Sequence, residues 1–124
     1  MKVDSAGNII VTRANSGYAD ITPKDSDGKP YEMQEGDKII FTAAKVYCGE
    51  VFTVIRKEYT ADDYDAEQKA VLLHLTPDDT DLPPGLYDYD CLYIFADEDR
   101  ETFVRRGKLK ICLGISREDD EGNG

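Results

Sequence analysis

The chain has 124 residues, the size of one domain, and 40% of them are hydrophobic, which is enough for a single core without disulfide staples. The formal net charge of −11 argues against a nucleic-acid partner, whose phosphates would repel the protein, and is compatible with a basic protein partner. No apolar run approaches the roughly 18 residues of a transmembrane helix, so the sequence predicts no contact with a membrane.

The three cysteines, Cys48, Cys91 and Cys112, are widely spaced and odd in number. This pattern matches neither a disulfide framework nor a zinc site and indicates assembly in a reducing cytoplasm. Residues 1–8 lack the apolar core of a signal peptide. We therefore expect assembly in the cytoplasm; if the protein leaves the cell, it does so by lysis or inside a particle.

Short β-branched or alternating runs, separated by turn residues, recur along the whole chain. Residues 14–17 and 25–28 have turn chemistry, 34–37 form a corner, and 97–100 form a charged hairpin turn. Residues 59–68 fit either a helical turn or an irregular loop. The predicted strands are residues 9–13, 18–22, 38–45, 51–57, 69–75, 86–96 and 101–113.

Two predicted strands carry apolar side chains on both faces. In residues 51–57, Val51, Thr53 and Ile55 alternate with Phe52, Val54 and Arg56. In residues 86–96 the period-two row of Tyr87, Tyr89, Cys91, Tyr93 and Phe95 faces the core, while Leu92 and Ile94 lie on the opposite face. A strand that is apolar on both faces indicates that one side meets another chain or a loop. The predicted protein-interface residues are Phe52, Val54, Leu92 and Ile94.

The corner between residues 75 and 89 joins two of these strands. Thr76 and Asp79 have the spacing of a capping box, with Pro77 at the first helical position. Pro83 and Pro84 then end the helix, so we expect a single short turn.

The last strand presents a conflict of phase. Side chains two residues apart in a strand lie on the same face, so Phe103, Leu109 and Ile111 can all point inward. The same phase, however, also places Arg105 and Gly107 inward. Burying an arginine without a partner is costly, so we expect a β-bulge at Arg106 and Gly107.

These elements predict an all-β fold, an antiparallel β-sandwich of Ig-like or Greek-key type with about seven strands and no long helix. We expect a flexible arm at residues 1–8, the sandwich domain at 9–115, and an acidic, flexible tail at 116–124.

The runs LTPDDTDLPPGLYDYD and ETFVRRGKLKI, together with NIIVTRANSGYADITPKDSDGKPYEMQEGDKIIFTAAK, resemble the N-terminal domain of phage baseplate upper proteins over residues 8–115. Ala14, Asn15 and Ser16 depart from that pattern, in which a tighter Gly-Asp turn is common. The resemblance implies a structural, non-enzymatic protein of a tailed phage or prophage, an adaptor in the baseplate or tail fibre.

The sequence offers no support for enzymatic chemistry. His74, the only histidine, falls on the outward phase of its strand, so no Ser-His-Asp or Cys-His arrangement is indicated. Paired acids such as Asp78 and Asp79 are better explained as helix caps, and a calcium loop at 25–28 would lack its closing glutamate. We predict no catalytic residues, no cofactor and no metal site.

The implied partners are other phage tail or baseplate proteins and further copies of the chain in a homo-oligomer. The implied location is the bacterial cytoplasm during assembly and then the virion. The alternative is a carbohydrate-binding β-sandwich module, in which Tyr87, Tyr89 and Tyr93 would form an aromatic platform for sugar. An Ig-like adhesion domain of a secreted protein is disfavoured, because no signal peptide is apparent.

Overall fold

The computed structural model describes residues 1–24, 27–96 and 100–114. These residues contain nine strands and one short 3₁₀ helix, joined by turns and loops. All seven predicted strands are present. Two strands of two residues each, β1 and β6, were not predicted. The strands are β1 (Lys2–Val3), β2 (Ile9–Thr12), β3 (Gly17–Ile21), β4 (Lys38–Tyr47), β5 (Glu50–Thr60), β6 (Tyr64–Asp65), β7 (Ala70–Leu75), β8 (Gly85–Phe95) and β9 (Arg100–Cys112).

The strands form two sheets, which confirms the all-β sandwich. The large sheet has the order β1-β2-β9-β8-β4-β5, and the small sheet has the order β3-β7-β6. Neighbouring strands are antiparallel except β2 and β9, which pair in parallel from Ile9 opposite Leu109 to Thr12 opposite Cys112. Hairpins impose antiparallel pairing only on strands that follow one another directly, and β2 and β9 lie near opposite ends of the chain.

The core lies between the two sheets and is built by period-two alternation. Along β8 every second side chain is buried, from Tyr87 to Phe95, and the same holds for Val71, Leu73 and Leu75 on β7. Both inward phases were predicted correctly. The core also includes Ile9, Val11, Ile21, Met33, Ile39, Phe41, Ala43, Ile55, Leu109 and Ile111.

The predicted capping box at the corner before β8 is present. The Thr76 amide donates to Asp79 Oδ2 at 2.8 Å, and the Asp79 amide donates back to Thr76 Oγ1 at 3.2 Å. Lys57 Nζ lies 2.7 Å from Asp79 Oδ2. Partial burial would raise the pKa of Asp79, but Lys57 and the Thr76 amide outweigh this and hold it below its usual value. The corner is thereby fixed to β5.

For residues 59–68 the sequence left a helical turn or an irregular loop open, and the 3₁₀ helix Ala61–Asp63 supplies a helical turn, while the rest of the range belongs to β5, β6 and a turn. Thr60 caps the helix: the Thr60 amide donates to Asp63 Oδ2 at 2.8 Å, and the Asp62 amide donates to Thr60 Oγ1 at 3.3 Å. The sequence signal was again a threonine followed three residues later by an acid.

The β-bulge predicted at Arg106 and Gly107 is misplaced. The β8–β9 register shifts where Cys91 pairs with Arg105 and Leu92 pairs with Phe103, so that Val104 is the extra residue. Arg105 does lie on the core side, but only half-buried, and its Nη2 donates to the Asp20 carbonyl at 3.2 Å. This hydrogen bond satisfies the arginine without a bulge at Arg106. The side chain of Phe103 is outside the described part of the chain.

Residues 1–8, for which we predicted a flexible arm, contain β1 and a turn organised by Asp4. The Asp4 carboxylate accepts hydrogen bonds from the amides of Ala6 and Asn8, each at 2.9 Å. The Tyr89 hydroxyl donates to the Gly7 carbonyl, which joins the turn to β8. The predicted tail at 116–124, the turn residues 97–99 and residues 25–26 lie outside the described residues.

The strand register keeps Cys91 and Cys112 apart. Cys91 pairs with Arg105, seven positions before Cys112 on β9, a separation of roughly 23 Å along the strand. We therefore expect three free thiols in the denatured protein under non-reducing conditions. In the folded protein, exposed Cys48 should react rapidly with a thiol reagent and Cys91 should not, because burial raises the pKa of the Cys91 thiol to about 12. Recovery of only one free thiol, with Cys91 bridged to Cys112, would contradict this register.

Candidate interaction surface

The end of the β4–β5 hairpin, residues 45–53, lies beyond the last pair between β4 and β8, and we call it the hairpin tip. β4 pairs with β5 as far as Tyr47 opposite Glu50, whereas its pairing with β8 stops at Ala44. Cys48 and Gly49 close the hairpin with φ values of 52° and 79°, the left-handed conformation of a two-residue turn. The hairpin tip is therefore a two-stranded projection from the edge of the large sheet.

Large apolar side chains are concentrated on the hairpin tip. Val46 is 51% exposed, Tyr47 67%, Val51 66% and Phe52 49%. Val46 and Val51 are cross-strand neighbours, and each is followed in sequence by an aromatic residue, Tyr47 and Phe52 respectively. Single exposed apolar residues are common on protein surfaces, but four on one projecting turn are typical of a contact site.

Lys45 secures the base of the hairpin tip to β8. Its Nζ donates to the Leu86 carbonyl at 2.8 Å and lies 5.0 Å from the centre of the Tyr87 ring. The ammonium group thus combines a hydrogen bond with a cation–π contact. These contacts fix the direction in which the hairpin tip projects.

The structure divides the four predicted interface residues into two groups. A second bulge in the large sheet, at Val54, lies where Ala43 pairs with Ile55 and Ala44 pairs with Thr53. Val54 and Ile55 consequently both contact the core, and Phe52 lies on the core side of the sheet beyond the end of the core. The prediction that Phe52 and Val54 face away from Ile55 is wrong, because the bulge shifts the phase of the strand by one residue.

Leu92 and Ile94 lie on the outer face of the large sheet, as predicted. Leu92 pairs with Ile40, and Ile94 pairs with Lys38. All three apolar side chains are half-buried, and Arg56 and Glu58 of β5 border them. This patch is smaller and less exposed than the hairpin tip, so the hairpin tip is the stronger candidate site.

The tyrosine row of β8 is not a surface platform. Tyr87, Tyr89 and Tyr93 are all at least 94% buried, since none exceeds 6% exposure. Burial raises the pKa of the Tyr89 hydroxyl to about 12. A stacked aromatic pair occurs instead on the outer face of the small sheet, where exposed Tyr18 and half-buried His74 have their ring centres 4.3 Å apart. His74 points outward, as its strand phase predicted.

Asp37, which follows the Gly36 turn, is a buried residue that sequence reasoning did not single out. It is 2% exposed, and its carboxylate accepts hydrogen bonds from the Tyr93 hydroxyl at 2.5 Å, the Gln34 amide at 3.0 Å and the Ala96 amide at 3.1 Å. Burial and the hydrogen bond to Asp37 raise the pKa of Tyr93 well above its usual value. The hydrogen bond from Tyr93 to Asp37 therefore stabilises the folded protein fully below about pH 10. This stabilisation is lost as the pH rises further and the hydroxyl ionises.

In the described part of the chain no group of three or more His, Cys, Asp or Glu side chains is placed to hold a metal ion. No helix among the described residues is long and apolar enough to cross a membrane. No protein-family model matches the chain, and the search of curated proteins found no match.

Proposed function

We propose that this protein is a structural, non-enzymatic component of a tailed phage or prophage particle, an adaptor in the baseplate or tail fibre. The observation that supports an adaptor most directly is the hairpin tip, with four exposed apolar side chains on a projection that is fixed at its base. The phage assignment comes from the resemblance of residues 8–115 to baseplate upper protein N-terminal domains.

An adaptor of this kind works by presenting a preformed surface. The strands of the hairpin tip are paired up to the turn, and Lys45 holds its base against β8, so little conformational entropy is lost when it docks. Burying Tyr47 and Phe52 against a partner removes apolar area from water, and aromatic residues of this kind are frequent interface hot spots. The proposed partners are other tail or baseplate proteins and further copies of the chain.

Binding to the products of the neighbouring tail genes tests this function. Replacing Val51 and Phe52 together by serine should weaken capture of the tail partner at least tenfold, because both side chains supply apolar contact area. The fold should be retained, since both residues are exposed in the free protein. The matched control is Leu72→Ser, which removes an equally exposed apolar side chain from the small sheet.

Equal binding by the wild type, the Val51/Phe52 variant and the Leu72 variant would contradict a role for the hairpin tip. Failure of the wild type to bind any neighbouring tail-gene product would contradict the adaptor function itself.

A carbohydrate-binding module is the second candidate, and the observation that favours it is the exposed Tyr18 ring stacked on the half-buried His74. Sugar rings pack on such aromatic faces. Titration with a panel of bacterial surface polysaccharides tests this candidate. Binding that is lost in Tyr18→Ala but retained in the Val51/Phe52 variant would favour it over the adaptor.

A further inference from the structure

The outer edge of β5 is an unpaired sheet edge. β5 is the last strand of the large sheet and is 11 residues long. Within the described residues, the backbone of residues 50–59 forms hydrogen bonds only with β4. Alternate N–H and C=O groups of β5 therefore point away from the sheet, and such an edge can pair with a strand of another chain.

The bulge at Val54 limits where a second strand can pair. Regular pairing needs an uninterrupted run, and the bulge-free part of β5 is residues 55–60. Two copies that pair through the same edge are related by a two-fold axis, which passes through one residue and its own equivalent. A pairing centred on Lys57 uses residues 55–59 of both copies and so fits within the bulge-free run.

The charge pattern of β5 favours this same centre. With Lys57 on the axis, Arg56 of each copy lies opposite Glu58 of the other, which gives two cross-strand ion pairs on the outer face. Centring on Arg56 or Glu58 would place like charges opposite one another. Centring on Ile55 would place Arg56 opposite Val54, within the bulge.

The charge of Lys57 does not oppose the pairing. On the axis the two Lys57 residues face each other, but each Nζ lies 2.7 Å from Asp79 Oδ2 of its own chain on the core side. The positive charge of each Lys57 is thus already neutralised by Asp79 of its own chain before the two copies meet. On the outer face, Arg56 contacts Glu58 of the same strand at 3.4 Å, and Glu58 also lies 3.5 Å from Lys38 Nζ on β4. Both contacts are long and exposed, so they compete only weakly with pairs across the dimer.

We propose that two copies of this chain associate through their β5 edges, antiparallel and centred on Lys57, to form one continuous sheet. This dimer rests on the proposed function, since it supplies the homo-oligomer expected of an adaptor. It uses the edge of β5 and leaves the hairpin tips free for tail proteins.

Sedimentation equilibrium of the protein alone tests the dimer. Arg56→Glu should raise the dimer dissociation constant at least tenfold, because two attractive pairs become repulsive. The double variant Arg56→Glu, Glu58→Arg should bind more tightly than Arg56→Glu alone, since the charges across the dimer are exchanged but remain complementary. Its recovery should fall short of the wild type, because the arginine placed at residue 58 faces Lys38. Lys110→Glu is the control, because it reverses an exposed charge on β9, far from the β5 edge.

Cysteine cross-linking tests the register. Opposed residues of antiparallel strands have Cα atoms about 4.5–5.5 Å apart, which a disulfide can span. With Cys48 and Cys112 replaced by serine, Lys57→Cys should oxidise to a covalent dimer and Thr53→Cys should not.

A wild type that stays monomeric up to about 1 mM would overturn the proposal, as would a double variant as weak as Arg56→Glu, or faster cross-linking at residue 53 than at 57. Because no tail protein is present, these results are independent of whether the hairpin tip binds one.

Discussion

Replacing Asp37 by alanine is expected to lower the free energy of unfolding by about 3–4 kcal/mol. The carboxylate accepts three hydrogen bonds in a site that is 2% exposed, and its loss would leave the Tyr93 hydroxyl and the amides of Gln34 and Ala96 without their acceptor. Buried donors without an acceptor carry their full desolvation cost. Urea unfolding followed by circular dichroism measures the difference.

Two further variants test this explanation. Glu35→Ala changes an exposed acid in the same corner and should alter the unfolding free energy by less than about 0.5 kcal/mol. Tyr93→Phe removes one of the three donors and leaves both amide hydrogen bonds, so its cost should be about 1–2 kcal/mol. If Asp37→Ala cost no more than Glu35→Ala, the buried carboxylate would not be what holds this corner.

Replacing Gly107 by valine is expected to destabilise the protein by about 2–3 kcal/mol. A Cβ atom at Gly107 would lie 2.7 Å from the Gly7 carbonyl oxygen and 3.1 Å from Cε2 of the Tyr89 ring. The first of these is backbone, so the turn that contains Gly7 must move, and the hydrogen bond from the Tyr89 hydroxyl to Gly7 is disturbed. The expected result is a lower midpoint of urea unfolding with the slope unchanged.

Gly17→Ala is the matched control for Gly107, because it also adds a Cβ within a strand. The three atoms nearest that Cβ all belong to the Met1 side chain, at 2.5–3.0 Å, so a side chain has to shift but none of the three is a backbone atom. We expect a change below about 1 kcal/mol. A Gly107 variant as stable as the Gly17 variant would show that the contact between β9 and the Gly7 turn is loose.

The strands that the sequence predicted are those in which alternation extends over several residues. Tyr87 to Phe95 and Val71 to Leu75 have one buried face each, and a shift of one residue would expose every core side chain, so their register is strongly determined. β1 and β6 have two residues each, too few for a period to be recognised. Their pairing depends on distant parts of the chain, which a local pattern does not contain.

The candidate interface was predicted only in part, and the bulges explain why. Val54 and Val104 are ordinary strand residues, and neither is marked by the glycine that often accompanies a bulge. The single-residue shift at Val54 moves Phe52 to the face of Ile55, so the four predicted residues do not form one surface. The apolar side chains of the hairpin tip are exposed because the pairing of β4 with β8 ends at Ala44. Where that pairing ends is set by the arrangement of the whole sheet and is not visible in the local sequence.

Asp37 had only a weak signal in the sequence, the Gly-Asp step before β4. An acid after a glycine is usually a solvated turn residue. Its burial results from Tyr93 and Ala96, nearly 60 residues away in sequence. Tertiary contacts of this range are not visible in local composition.

The composition of purified particles tests the central claim most directly. Under the proposed function, the source strain should release phage particles after prophage induction, and these can be separated from the lysate by density and analysed by quantitative mass spectrometry. An adaptor is predicted to sediment with intact particles in a fixed ratio to the known tail proteins. If the chain is abundant in the lysate but absent from intact particles, it is not a virion component.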